Sequence, residues 1–69
     1  MYYIQITTTA NRTGLLSKPD ADGIPRPRGF IFESQAVAGR DVLAEEDRVA
    51  EIGVVELVPA VARRMGVIR

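Results

Sequence analysis

Ser17-Lys-Pro-Asp-Ala-Asp-Gly-Ile-Pro-Arg-Pro-Arg-Gly29 is the stretch on which the fold turns. Pro19, Pro25 and Pro27 each remove a backbone donor, fix φ and bias the residue before them away from helix. The stretch therefore reads as neither helix nor strand, and Ile24-Pro-Arg-Pro-Arg28 as extended, near polyproline II. The expectation is a long Pro/Gly-rich loop or arm at about residues 17–29. In a chain of 69 residues such a segment leaves little backbone for a core. Domains of this size bury only roughly 60% of their unfolded surface. They usually add disulfides, a metal or a partner. The chain has no Cys and no His, so disulfides and zinc sites built on those residues are excluded. Docking on another chain is the remaining support. Ile24, Pro25, Arg26, Pro27 and Arg28 are the candidate partner-binding residues.

Outward from this segment, Tyr2 to Thr9 alternates and is rich in aromatic and β-branched residues, which predicts a strand. Tyr2, Ile4 and Ile6 share one face. Asn11-Arg-Thr-Gly14 signals a turn, after which Leu15 and Leu16 pack back on that strand. Gly29 to Glu33 predicts a second short strand, with Phe30 and Phe32 on one face, pairing antiparallel with Tyr2–Thr8. Ser34 to Gly39 follows, with Gly39 ending a turn or marking a bulge. Asp41 to Ile52 reads as a helix, capped by Asp41 and closed by Gly53. Gly53 to Val58 reads as a strand. Pro59 to Met65 reads as a short helix with proline in its first turn and Gly66 at its end, followed by an apolar Val67-Ile68 that packs on the core. The predicted class is α+β: one small domain over 1–69, with a small antiparallel sheet, one or two short helices and the extended arm.

Catalytic chemistry has few candidate groups. Without His or Cys the commonest general base and the strongest neutral-pH nucleophile are missing. Lys18 is the single lysine, and its neighbour Ser17 points to the opposite side of an extended chain, so no Ser-Lys dyad is expected. Glu45-Glu-Asp47 reads as a solvated face. Asp20-Ala-Asp-Gly23 fails as a calcium loop, because Ile24 stands where a third oxygen ligand belongs and the glycine comes too early. It reads as an ordinary Asx turn. Neither a Gly-rich nucleotide fingerprint nor a Walker lysine is present. No catalytic residue, metal ligand or cofactor site is assigned, and the chain is expected not to be an enzyme.

Net charge is zero but unevenly placed. The segment 12–28 carries +2, the segment 33–56 carries −5, and Arg63, Arg64 and Arg69 add +3. Such polarity suits head-to-tail contacts or docking on a mixed-charge partner. Val58-Pro-Ala-Val-Ala-Arg-Arg-Met-Gly-Val67 resembles the first helix and turn of a helix-turn-helix module, over about ten residues. No recognition helix is expected after it, so the resemblance implies no DNA-binding role. With an acidic middle, nucleic acid is not the expected partner. The N-terminus has no signal-peptide pattern and no apolar run approaches the ~20 residues of a membrane span, so a soluble chain is expected.

These features together point to a non-enzymatic structural subunit of a larger multi-copy assembly, such as a virion accessory protein of capsid, neck or tail. Its expected partners are other protein chains, either copies of itself or larger subunits. The alternatives are a small phage-type inhibitor or adaptor for one protein target, and a small nucleic-acid-binding regulator. Copy number separates the first two, and salt-dependent duplex binding would promote the third.

Overall fold

The computed structural model of the chain describes residues 1–68. Its elements run β1 (Tyr2–Thr8), β2 (Thr13–Pro19), β3 (Pro25–Pro27), α1 (Glu33–Leu43), β4 (Val49–Glu56), α2 (Pro59–Met65) and β5 (Val67–Ile68). The strands form one sheet in the order β3-β2-β1-β4, and β5 pairs with β2 off that path. Every strand pairing is antiparallel except the short β2–β5 contact. The class is α+β, as the sequence predicts.

Alternation along β1 explains the layering, because successive side chains leave a strand on opposite faces. Ile4 and Ile6 turn to one face and are buried with Ala36 of α1; Phe30, Leu43, Ile52 and Val54 pack around them. Tyr3 turns to the other face and is buried with Leu15 and Ala62 of α2. The sheet is thus covered by one helix on each side. Leu15 and Leu16 are split between the two clusters, which is what strand geometry does to adjacent residues. The β1–β2 turn holds Asn11 at φ 61°, a left-handed position that asparagine tolerates.

α2 matches its predicted span. Pro59 lies in its first turn, Arg63 and Arg64 in its last, and Gly66 ends it at φ 79°. That glycine turns the chain directly into β5, so α2 is followed by a strand lying on β2 rather than by a second helix. Gly14 lets β5 approach. A Cβ there would stand 2.8 Å from Ile68 Cγ1 and 3.1 Å from the Val67 carbonyl carbon.

Four expectations are corrected. Residues 17–29 are not a free arm. Ser17–Pro19 pair with Pro25–Pro27 in a hairpin, whose strand β3 also lies near α2 and β5. Gly29–Glu33 is not a strand. Only Phe30 bridges Tyr2, because both edges of β1 are already taken by β2 and β4. Ile31 and Phe32 are exposed, and Glu33 opens α1. Ser34–Gly39 belongs to that helix rather than to a turn. Finally, no helix spans Asp41–Ile52. α1 stops at Leu43, and Val49–Ile52 are strand, since Ile52 faces Ile6 across the ladder.

Candidate interaction surfaces

The five residues singled out from the sequence occupy the β2–β3 hairpin and its exit. Its tip is an Asx turn: one Asp20 carboxylate oxygen accepts the Asp22 N–H at 2.8 Å and the Ile24 N–H at 3.0 Å. The other oxygen accepts Arg26 Nε–H at 3.2 Å. Ile24 is exposed, Pro25 and Pro27 are half-buried, and Arg26 and Arg28 are exposed. The Arg28 guanidinium lies 5.0 Å from the centre of the Phe30 ring, a cation–π contact. Both arginines therefore have partners within the chain. Arg26 uses only Nε in its bond to Asp20, so its terminal nitrogens remain available.

The Asp20 carboxyl is held below the usual aspartate range, first by the Ile24 N–H, against an opposing effect of burial, and then by Arg26 and the Asp22 N–H. A depressed folded value means the turn's support is complete above the ordinary aspartate range and is lost as pH falls through the lowered value. In an acid titration followed by NMR, the amide shifts of Asp22 and Ile24 are expected to move together, with a midpoint below the usual aspartate range. Asp20→Ala should abolish this titration and speed exchange of both amides while leaving the β1–β4 ladder protected. Unchanged exchange at Ile24 would show that the turn does not depend on Asp20.

The hairpin's outer edge is blunted. Arg28 N–H donates to Leu16 O at 2.9 Å and Asp20 N–H to Ile24 O at 3.0 Å, so even-numbered residues of β3 face β2. Pro25 and Pro27 occupy the alternate positions, whose main-chain groups face away. Proline there leaves no donor for an incoming strand.

β4 presents the opposite situation, which sequence reading alone did not find. Leu57 N–H donates to Met1 O at 2.9 Å, while Tyr2 exchanges its bonds with Phe30 at 2.9 and 2.8 Å. Odd-numbered residues of β1 therefore face β4, where Tyr3, Gln5 and Thr7 pair with Val55, Gly53 and Glu51. By alternation, the N–H and C=O groups of Ile52, Val54 and Glu56 point away from the sheet. Among the described residues no strand pairs with that edge. A register shift opposite Thr7 and Thr8 leaves Ala50 as the extra residue, and Arg48 O again accepts from Thr9 N–H at 2.9 Å, which ends the open run.

Charge follows the sheet. On α1, β4 and their connection, Arg40 pairs with Asp41 at 3.2 Å and Arg48 with Glu46 at 3.7 Å. Glu33, Glu45, Asp47, Glu51 and Glu56 have no ion pair among the described residues. Glu56 faces Tyr2 across the ladder and raises its phenol, by hydrogen bond and by charge, with smaller contributions from burial and from the charge of Glu33. Toward the other edge, Lys18 and Arg26 lie on the hairpin, and α2, which carries Arg63 and Arg64, packs against β2 and β3.

Two concavities lie on the surface of the described residues. A cleft of about 830 Å³ has an apolar floor that includes Ile6, Leu16 and Ile68, and is rimmed by Arg12, Glu46 and Arg48. A second, of about 540 Å³, lies between the hairpin and α2 and is lined by Tyr3, Arg26, Pro27 and Arg63. Among the described residues no group of three or more Asp or Glu is placed to hold a metal ion. No described helix is long and apolar enough to cross a membrane. No protein family, curated protein or solved structure matches the chain.

Proposed function

We propose that this chain is a non-enzymatic subunit of a larger multi-copy assembly and works by contacts with other protein chains. One observation carries the reading. Among the described residues, carboxylates without ion pairs gather along α1, β4 and their connection, whereas Lys18, Arg63 and Arg64, also without ion pairs, lie on the hairpin and α2, the hairpin carrying one free carboxyl, Asp22. Opposite poles on one molecule orient neighbours head to tail and disfavour pairing of like ends. A polar contact of this type stays weak for two isolated chains and gains strength with repetition.

Light scattering on the purified chain across concentration tests this. Association is expected at low ionic strength, and dissociation to monomer at about 1 M salt, where the screening length falls to about 3 Å. Reversing Arg63 and Arg64 to Glu should remove the association without altering the circular dichroism spectrum, since both side chains are exposed. A chain that is monomeric at low salt and high concentration would overturn the multi-copy reading.

A further inference from the structure

We infer that the open edge of β4 is a strand-addition site that takes an extended, basic segment from a different protein chain. The inference rests on the reading above, that this chain works through other chains, and adds the chemistry of the neighbour at its acidic end.

Backbone groups supply the first reason. The outward N–H and C=O groups of Ile52, Val54 and Glu56 form a short, regular row of donors and acceptors. Such a row is a template for another strand. The free side of β3 lacks this template, because Pro25 and Pro27 occupy its outward positions. Its length is bounded by the Ala50 bulge, so the site fits about five or six residues.

Charge selects the occupant. β4 carries Glu51 and Glu56 and no basic residue between Val49 and Glu56. A second β4 is a poor partner. An antiparallel pair centred on Val54 would set Ile52 of each copy opposite Glu56 of the other and bring the two acidic edges together. Like charges across strands are destabilising, and opposite charges favourable. Among the described residues no other strand is both free-edged and basic, so the complementary strand comes from another protein. Side-chain space refines the match. Nothing stands within 4 Å of a Cβ built on Gly53, so the residue opposite it can be large. Ile52 and Val54 belong to the cluster under α1, so apolar residues suit the positions opposite them. The segment that fits reads, opposite Glu56 through Glu51, basic, any, apolar, large, apolar, basic.

A capped peptide, Lys-Thr-Val-Tyr-Val-Lys, is the probe, added to the full chain and followed by amide exchange and chemical shifts. Saturable binding is expected, with exchange at Ile52, Val54 and Glu56 slowed by about tenfold or more at saturation. N-methylation at the third and fifth peptide residues, which face β4, should abolish binding. N-methylation at the fourth and sixth, which face away, should leave it. The chain carrying Glu51→Lys and Glu56→Lys, both at exposed positions, should exchange its preference for that of the peptide Glu-Thr-Val-Tyr-Val-Glu. Absence of binding, binding that ignores the N-methyl parity, or an unchanged preference in the reversed chain would each overturn the inference. Protection of the three amides in the concentrated free chain would overturn it too, because a second copy would then hold the edge. The two readings fail separately. Salt-sensitive association without peptide binding removes only the strand site, and peptide binding by a chain that stays monomeric removes only the multi-copy reading.

Discussion

Ile4→Ala is expected to remove a large share of the stability of this chain. Ile4 is fully buried between the sheet and α1. Its cluster includes Ala36 on the helix and Val54 across the ladder, and its Cδ1 would lie 3.0 Å from a Cβ placed on Gly39. Cutting a buried Ile or Leu to Ala costs about 2–5 kcal/mol, with the larger values where neighbours cannot close the gap. Here α1 already approaches through small residues, and the opposite wall is fixed by the strand ladder. A chain of 69 residues has a total stability of only about 3–10 kcal/mol at ordinary values per residue. At mid-range values the loss is therefore about half of the total. Thermal unfolding followed by circular dichroism should show a midpoint lowered by roughly 10–30 °C, at about 4–8 °C per kcal/mol for this size. Ile4→Val, which leaves a smaller void, should cost only about 0.5–1.5 kcal/mol. A fall of less than about 4 °C for the alanine variant would mean that the α1 face is not the principal core.

Gly14→Val should have the second largest effect, by overpacking. Gly14 is buried under β5, and its added Cβ would press on the Ile68 side chain and on the main chain of Val67 and Ile68. A side-chain tip can rotate aside, but two backbone atoms at 3.1 and 3.2 Å cannot do so without moving the strand. Forced insertions of this kind cost about 1–3 kcal/mol. The relief is displacement of β5, which is held by two residues and the Ser17 hydroxyl, donating to Ile68 O at 3.1 Å. Leu15 N–H donates to Gly66 O at 3.2 Å, so its exchange should accelerate sharply in the variant. The β1–β4 amides should keep their protection. If Leu15 stays protected, β5 accommodates the valine and the close approach is not a requirement.

Legibility in the sequence followed the size of the buried side chains. Tyr2, Ile4 and Ile6 alternate with large residues, and β1 was readable; Pro59 and Gly66 bracket α2, and its ends were readable too. α1 was not, because the side of it that meets the sheet includes Ala36 and Gly39. A small-residue face leaves no bulky period of 3.6, and a central glycine reads as a break. Val42, Val49 and Ile52 fall at helical spacing by chance, yet Val42 is on α1 and exposed while the other two are on β4. The prolines misled for a related reason. Proline excludes a central strand, but an edge strand accepts it at positions facing away from its neighbour. Of the interaction surfaces, Arg26 and Arg28 were visible as exposed cations. The open edge of β4 was not, since which of its residues face outward depends on register with a strand more than forty positions earlier.

That register also sets a timetable. β1 lies inside the sheet, with β2 nearby in the chain and β4 far from it. During synthesis β1 and β2 leave the ribosome before β4 and can form a hairpin, but an isolated hairpin is marginal in water. The Ile4 face acquires its full apolar cover only after Val49–Glu56 has emerged. Closing a long loop must precede the reward of the contacts it brings, which slows folding. The strand that supplies Tyr3, Ile4 and Ile6 to the core therefore keeps those side chains uncovered until β4 has emerged, an interval in which exposed apolar surface favours aggregation.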